Sequence, residues 1–251
     1  MKRFFTLTAL AVLMISGGQA LAQEKRLITI GTDATWPPFE FVDDKKELTG
    51  LSVEYMKAAA EEGGYEVKII NAAWDGIFGG LMSKQYDAIC SSVTITDERK
   101  KTMAFSIPYF TVRQAVIVPK DSEIKTFDDL KGKTAGSQIG TTGTFAINKV
   151  KDIKSRTYDE VGLAVEDLYL GRIDAVVCDD AVASNFIMEN EKYKEKLKIA
   201  LVLDTPEAEE FYGVAVRKDD PDTLALINKG IEGVKAKGID KELHQKWISG
   251  Q

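Results

Sequence analysis

Short apolar runs alternate along this chain with longer stretches whose apolar positions recur every three or four residues. That rhythm predicts an α/β protein with largely parallel sheets. Leu27 to Gly31, Glu66 to Ile70, Asp87 to Cys90, Gln114 to Val118, Lys133 to Gly136, Asp174 to Cys178, Lys198 to Leu203 and Tyr212 to Val216 read as strands. Between them, Leu51 to Glu62, Gly76 to Met82, Thr142 to Val150, Val161 to Leu170, Ala181 to Glu189 and Pro221 to Lys237 read as helices, several opened by Gly, Ser, Thr or Asp. No internal repeat or flexible linker interrupts them.

Two breaks in the pattern suggest two lobes. Ala115-Val116-Ile117-Val118 ends at Pro119, and a short helix around Phe127 to Leu130, a Gly stop and a new strand then read as a fresh start. Later, Glu207-Ala208-Glu209-Glu210 interrupts the pattern before Phe211 to Val216 resumes it. The tail beyond, about 35 residues, is too short for a core of its own and must pack back on the first lobe. The expected division is a leader at 1–22, a first lobe from 23–110, a crossing at 111–118, a second lobe at 119–205, and at 206–251 a second crossing with the remainder of the first lobe. Two crossings between lobes make a hinge.

The leader carries an address. Met1-Lys2-Arg3, an uncharged run from Phe4 to Ile15, and a small-x-small ending at Ala20 and Ala22 match a secretory signal peptide cleaved after Ala22. The apolar run is shorter than the roughly 20 residues needed to span a membrane. The expectation is therefore an exported, soluble protein. The 251 residues carry a formal net charge of −6 without a basic stripe interleaved with aromatics, which argues against nucleic acid as a partner. Export permits a disulfide between Cys90 and Cys178, but both end apolar strand-like runs, where buried free thiols are commoner.

Ligands of open α/β sheets sit beyond the carboxyl ends of strands. The residues found there are Asp33 and Trp36; Ser91, Ser92, Thr94 and Arg99; Gln138, Thr141 and Thr142; and Asp179 and Asp180. Arg99 opens a helix-like run, where a guanidinium and free backbone N–H groups suit a carboxylate, and the hydroxyls of Ser92 and Thr94 with the amides of Thr141 and Thr142 add donors. Its neighbours Asp97 to Lys101 are all charged, and taken alone a solvated charge run is the commoner meaning. Asp179 is suited both to an ammonium and to capping the helix at Ala181, a role Asp180 fills equally well. Trp36 and Trp74, flanked by Pro, Gly and Asp, are cleft walls or core; as walls they would stabilise a cation between them.

These residues resemble one family across essentially the whole chain after the leader: the periplasmic solute-binding proteins of polar amino acid ABC importers, bacterial extracellular solute-binding proteins of family 3. The carriers are Gly31 to Phe41 (GTDATWPPFEF), Leu48 to Glu54, Asp87 to Arg99 (DAICSSVTITDER), Gly140 to Gly143 and Gly171 to Val177. The resemblance implies a type II periplasmic-binding-protein fold: two α/β lobes with mixed, mostly parallel sheets and a ligand cleft between them. It implies that Arg99 clamps an α-carboxylate, helped by Thr94 and the backbone at Ser92 and Thr142, and that Asp179 accepts the α-ammonium. Trp36 and Trp74 match the aromatic walls around the ligand side chain, and Asp33, Gln138 and Cys178 match positions that shape specificity. Acidic Asp33 beside two Trp faces favours arginine, lysine or ornithine, with glutamine next. The implied partners are a free L-amino acid and a membrane permease, with no cofactor or metal, and a monomer is the family default.

Two other classes compete. The family has an enzymatic precedent in cyclohexadienyl dehydratases, for which Asp33 or Asp179 would have to act as a general acid. Hydrolase chemistry lacks a placed imidazole, because the only histidine, His244, lies in the helix-like stretch Lys241 to Ile248, far from every strand-end cluster; one His and two separated Cys also lack metal-ligand spacing. The third class is a periplasmic sensor module, which the expected end of the chain at Gln251, without a span or signalling domain, disfavours. No phosphate-binding GxxxxGK[ST] loop is present, so transport would be powered elsewhere.

Overall fold

The computed structural model describes residues 25–205 and 208–248; the expected leader at 1–22 lies outside them. The first strand, β1 (Leu27–Thr32), is followed by a small antiparallel meander of β2 (Thr35–Trp36), β3 (Glu40–Val42) and β4 (Leu48–Thr49). Then come α1 (Leu51–Gly63), β5 (Glu66–Asn71), α2 (Ile77–Met82), β6 (Ala88–Ile89), α3 (Asp97–Thr102) and β7 (Met103–Phe105). The chain leaves this lobe along β8 (Phe110–Val112) and builds the second from β9 (Gln114–Pro119), β10 (Thr134–Gln138), α4 (Thr142–Lys149), β11 (Lys154–Tyr158) and α5 (Val161–Tyr169). The second lobe is completed by β12 (Ala175–Asp179), α6 (Asp180–Met188), α7 (Glu191–Lys196) and β13 (Leu197–Val202). It returns along β14 (Glu210–Tyr212) to β15 (Ala215–Arg217), α8 (Pro221–Lys237) and α9 (Ile239–Trp247).

The two principal sheets have the orders β5-β1-β6-β15-β7 and β11-β10-β12-β9-β13. In the first, β1 runs parallel to β5 and β6, while β15 is antiparallel to β6 and β7. In the second, β10 runs parallel to β11 and β12, while β9 is antiparallel to β12 and β13. The sheets are mixed, with more antiparallel pairing than the alternating pattern predicts. Each takes in one strand delivered by a crossing, and that strand enters against the direction set by the local βαβ units.

The crossing expected at 111–118 is shorter than predicted. Gln114 to Val118 are buried, between β12 and β13, as an internal strand of the second sheet. An unbroken run such as Ala115 to Val118 is apolar on both faces and needs cover on both. The strands that pass between the lobes are β8 and β14, which pair antiparallel from Glu210↔Val112 to Tyr212↔Phe110.

The C-terminal helices lie on the first lobe. Asp220 accepts from the Thr223 N–H at 3.2 Å, Pro221 occupies the first turn, and Gly238 ends α8 in the left-handed conformation, so both ends carry their local stop signals. The buried stripe Thr223, Ile227, Gly230, Ile231 and Val234 meets the α1 stripe that includes Tyr55, Met56, Ala59 and Ala60. A Cβ on Gly230 would stand 2.1 Å from the Ala59 carbonyl oxygen, so the helices touch through backbone at this point. Gly230→Val is expected to destabilise the unliganded protein by about 1–3 kcal/mol through overpacking. Thermal melting checks this; an unchanged midpoint would mean that α1 and α8 separate without cost.

Candidate functional site

The carboxyl ends of β1, β6, β10 and β12 face a cavity between the lobes. Its walls contain eleven of the twelve residues expected from sequence: Asp33, Trp36, Trp74, Ser91, Ser92, Thr94 and Arg99 from the first lobe, and Gln138, Thr141, Thr142 and Asp179 from the second. Ser92 is held at φ 47°, a left-handed conformation costing a non-glycine residue about 1–2 kcal/mol. Strain of this kind collects at functional sites.

Cys178 does not line the cavity. Side chains alternate along β12, so Cys178 points with Val176 into a core shared with Val165, Leu168 and Val182, while Asp179 faces the cleft. Cys90 and Cys178 are both buried free thiols. His244 stacks on Phe110 with ring centroids 5.6 Å apart. Among the described residues no cluster of three His, Cys, Asp or Glu side chains could hold a metal ion, and no helix is long and apolar enough to cross a membrane.

Arg99 is only 9% exposed, although Asp97, Glu98, Lys100 and Lys101 around it face solvent. Thr96 caps α3 by accepting from the Arg99 N–H at 3.1 Å, which fixes the start of the helix and turns this one charged side chain inward. The guanidinium donates to the Thr94 carbonyl at 2.8 Å and the Gly140 carbonyl at 3.1 Å, and lies over Trp74 and Phe78 at 5.6 and 5.4 Å from the ring centroids. Burial lowers its pKa to about 10, opposed by Glu210 and Asp179. It remains a cation at neutral pH, with donors left over for a carboxylate.

Asp179 occupies the N-cap position of α6, but its side chain does not cap the helix. It accepts instead from the Tyr212 hydroxyl and the Gln114 amide, and Asp180 takes the Arg113 and Ala181 N–H groups at 3.3 and 2.9 Å. Tyr212 in turn accepts from Trp36 Nε1 at 3.4 Å, which ties the first-lobe wall to Asp179. Burial raises the Asp179 carboxyl to about 7; the Tyr212 hydrogen bond opposes this and the neighbouring Glu210 adds to it.

Asp33 is 5% exposed and accepts from the Thr35 hydroxyl and from Gln138 Nε2, the latter at 2.9 Å across the cleft. Burial raises its pKa, and the Gln138 and Thr35 bonds pull it back. Trp74 Nε1 donates to the Ile139 carbonyl at 2.7 Å, also across the cleft. With Arg99 to Gly140, these bonds join the lobes directly. Gln114, Tyr212 and Glu210 escaped sequence reasoning. Tyr212 and Glu210 belong to the return crossing, and only the break in pattern at Glu207 to Glu210 marks their neighbourhood.

A buried cation and two buried carboxylates facing one cavity between two α/β lobes joined by β8 and β14 define a solute receptor of the two-lobe periplasmic-binding type. Residues 28–250 match the bacterial extracellular solute-binding proteins, family 3, and the chain belongs to that family. It is 36% identical over 231 residues to the L-cystine-binding protein TcyJ of Escherichia coli, covering 90% of this chain and 84% of that one. It is 34% identical over 232 residues to ABC transporter arginine-binding protein 1 of the same organism, covering 91% and 93%. A crystal structure of a mutant of ArgBP from T. maritima superposes with a TM-score of 0.81 at 42% identity, covering 89% of this chain and 95% of that one.

Proposed function

We propose that this protein captures a free polar α-amino acid between its lobes, arginine, lysine or ornithine first and glutamine next, and delivers it to the membrane permease of an ABC importer. The observation carrying this reading is the pairing of Arg99 with Asp179 on opposite lobes of one cavity walled by Trp36 and Trp74. A ligand carboxylate meets the guanidinium fork, its ammonium meets Asp179, and a cationic side chain has Asp33 as its partner. Relatives named for binding arginine and cystine support an amino acid as the ligand class. Rotation about β8 and β14 would open and close the cleft, so that ligand binding shifts an open–closed equilibrium which the permease reads. In this reading the protein is a monomer, exported after cleavage behind Ala22.

A screen of the unfolded and refolded protein against the common amino acids and ornithine tests the proposal, since a ligand that binds only the native state raises the melting temperature. Responses to arginine, lysine and ornithine support it; a response only to neutral amino acids keeps the receptor and removes the cation preference. One observation favours a second reading. Burial raises the Asp179 carboxyl to about 7, so that about half of the molecules carry a proton there at neutral pH when no ammonium faces it, and a dehydratase-like elimination needs such an acid. Turnover of prephenate without any amino-acid response would establish that enzyme instead.

Asp33→Asn is expected to weaken arginine by about 10- to 100-fold, because a hydrogen bond to a charged group contributes about 1.5–3 kcal/mol, and to weaken glutamine much less. Calorimetric titration with both ligands checks this. Equal losses would remove Asp33 as the reader of side-chain charge.

A further inference from the structure

Glu210 of β14 stands beside the cavity wall, and one of its oxygens, Oε2, accepts from the Thr142 hydroxyl at 2.6 Å and the Thr94 hydroxyl at 3.2 Å; the amide of Gln114, one of whose two protons goes to Asp179, shares the other between Thr142 and this oxygen, 3.3 Å away. The two threonines come from opposite lobes, and their Oγ1 atoms are 3.5 Å apart. A hydroxyl carries one proton and two lone pairs. Both threonines direct that proton to Glu210, so what each presents to the cavity is a lone pair. The Thr142 oxygen also has Gln114 Nε2 at 3.2 Å, which takes up one of its two lone pairs and leaves the other for the cavity.

We propose that Glu210 is a positioning residue for ligand recognition: by taking the hydroxyl protons of Thr94 and Thr142 it makes both side chains acceptors, so that they receive the ligand's α-ammonium and not its α-carboxylate. The inference rests on the reading that the cavity takes an α-amino acid. An ammonium has three N–H donors, and Asp179 with the two threonine oxygens offers three acceptors. The carboxylate is then left to the Arg99 guanidinium and to the free N–H groups at the start of α4. The Thr94 hydroxyl, expected from sequence as a further carboxylate donor, thereby changes sides. The cause is a residue 116 positions away in the chain.

The test compares arginine with 5-guanidinopentanoate, which is arginine without its α-amino group, on the parent and on Glu210→Ala. Removing the acceptor frees both hydroxyl protons to turn into the cavity. Calorimetry is expected to show arginine weakened by about tenfold or more, with no loss for the deaminated analogue. A role in holding the lobes or the fold would weaken both by the same factor, and that result, or an unchanged arginine affinity, overturns the proposal. A crystal structure of the parent with arginine supplies a second measurement that does not depend on the analogue binding. At least one of the two threonine Oγ1 atoms is expected within hydrogen-bond distance of the α-nitrogen; both on carboxylate oxygens would overturn the assignment. A parent that binds no amino acid defeats the receptor reading itself, and this inference with it. A parent that binds arginine but fails the comparison defeats only the role of Glu210.

Discussion

Arg99→Ala is expected to lower amino-acid affinity by roughly 30- to 4,000-fold, because truncating one member of a buried, hydrogen-bonded charge pair costs about 2–5 kcal/mol and each 1.4 kcal/mol is tenfold. The loss should fall on every amino acid alike, since each brings the same α-carboxylate. The fold is expected to survive. The lowered pKa of Arg99 shows that keeping its charge in the cleft is unfavourable in the absence of a ligand, with burial outweighing the attraction of Glu210 and Asp179. Removing it relieves that cost while leaving the Thr94 and Gly140 carbonyls without this donor. Arg99→Lys keeps a charge but not the two parallel N–H groups, and should recover only part of the affinity. Calorimetry and melting curves on the three proteins check the pair of claims, and an Arg99→Ala protein that binds as tightly as the parent would mean that the carboxylate docks elsewhere.

Affinity is also expected to fall as pH drops below about 7, by close to tenfold per unit, reaching roughly 100-fold at pH 5 relative to the plateau above pH 8. The cause is Asp179, whose carboxyl titrates near 7 and must be ionised to receive an ammonium. Without ligand the sign of the stability effect is opposite. The folded carboxyl titrates above its ordinary value of 3.8, so the native state binds more protons than the unfolded chain. This group therefore adds stability as pH falls from about 7 toward 4 and withdraws it as pH rises. Calorimetry from pH 5 to 8.5 reads the first effect, and Asp179→Asn should bind weakly with a flat profile. A flat profile in the parent would place the ammonium away from Asp179.

The legible part of the site had a common origin. Asp33, Ser91, Ser92, Gln138 and Asp179 stand at or just beyond the carboxyl ends of strands, and the carboxyl ends of parallel strands open on the same side of a sheet whatever the details of packing. Locating the strands was therefore enough to collect the residues. Cys178 entered the expected site through the family resemblance and not through its place on a strand; one residue along a strand reverses the face, and in β12 Cys178 faces the core while Asp179 faces the cleft. The short strands β2 to β4, β7 and β8 carry too few residues for a period of two to stand out.

By itself the chain's pattern determined the α/β class, the two lobes, most helix limits and the strand-end chemistry, all of which depend on neighbours a few residues apart. What only the tertiary structure decided lies between distant segments. Arg99 is a buried clamp and not part of a solvated run because Thr96 caps α3 and the Gly140 carbonyl comes across the cleft to meet it. Asp179 faces the cavity and not its own helix because Tyr212 approaches from the return crossing β14 and Gln114 from the start of β9, just beyond the other crossing. Glu210, one acid in an acidic run, reaches Thr94 and Thr142 because β14 pairs with β8. Local pattern reports which surface a residue favours, whereas the direction of a buried charge is set by whichever partners the fold brings within hydrogen-bond reach.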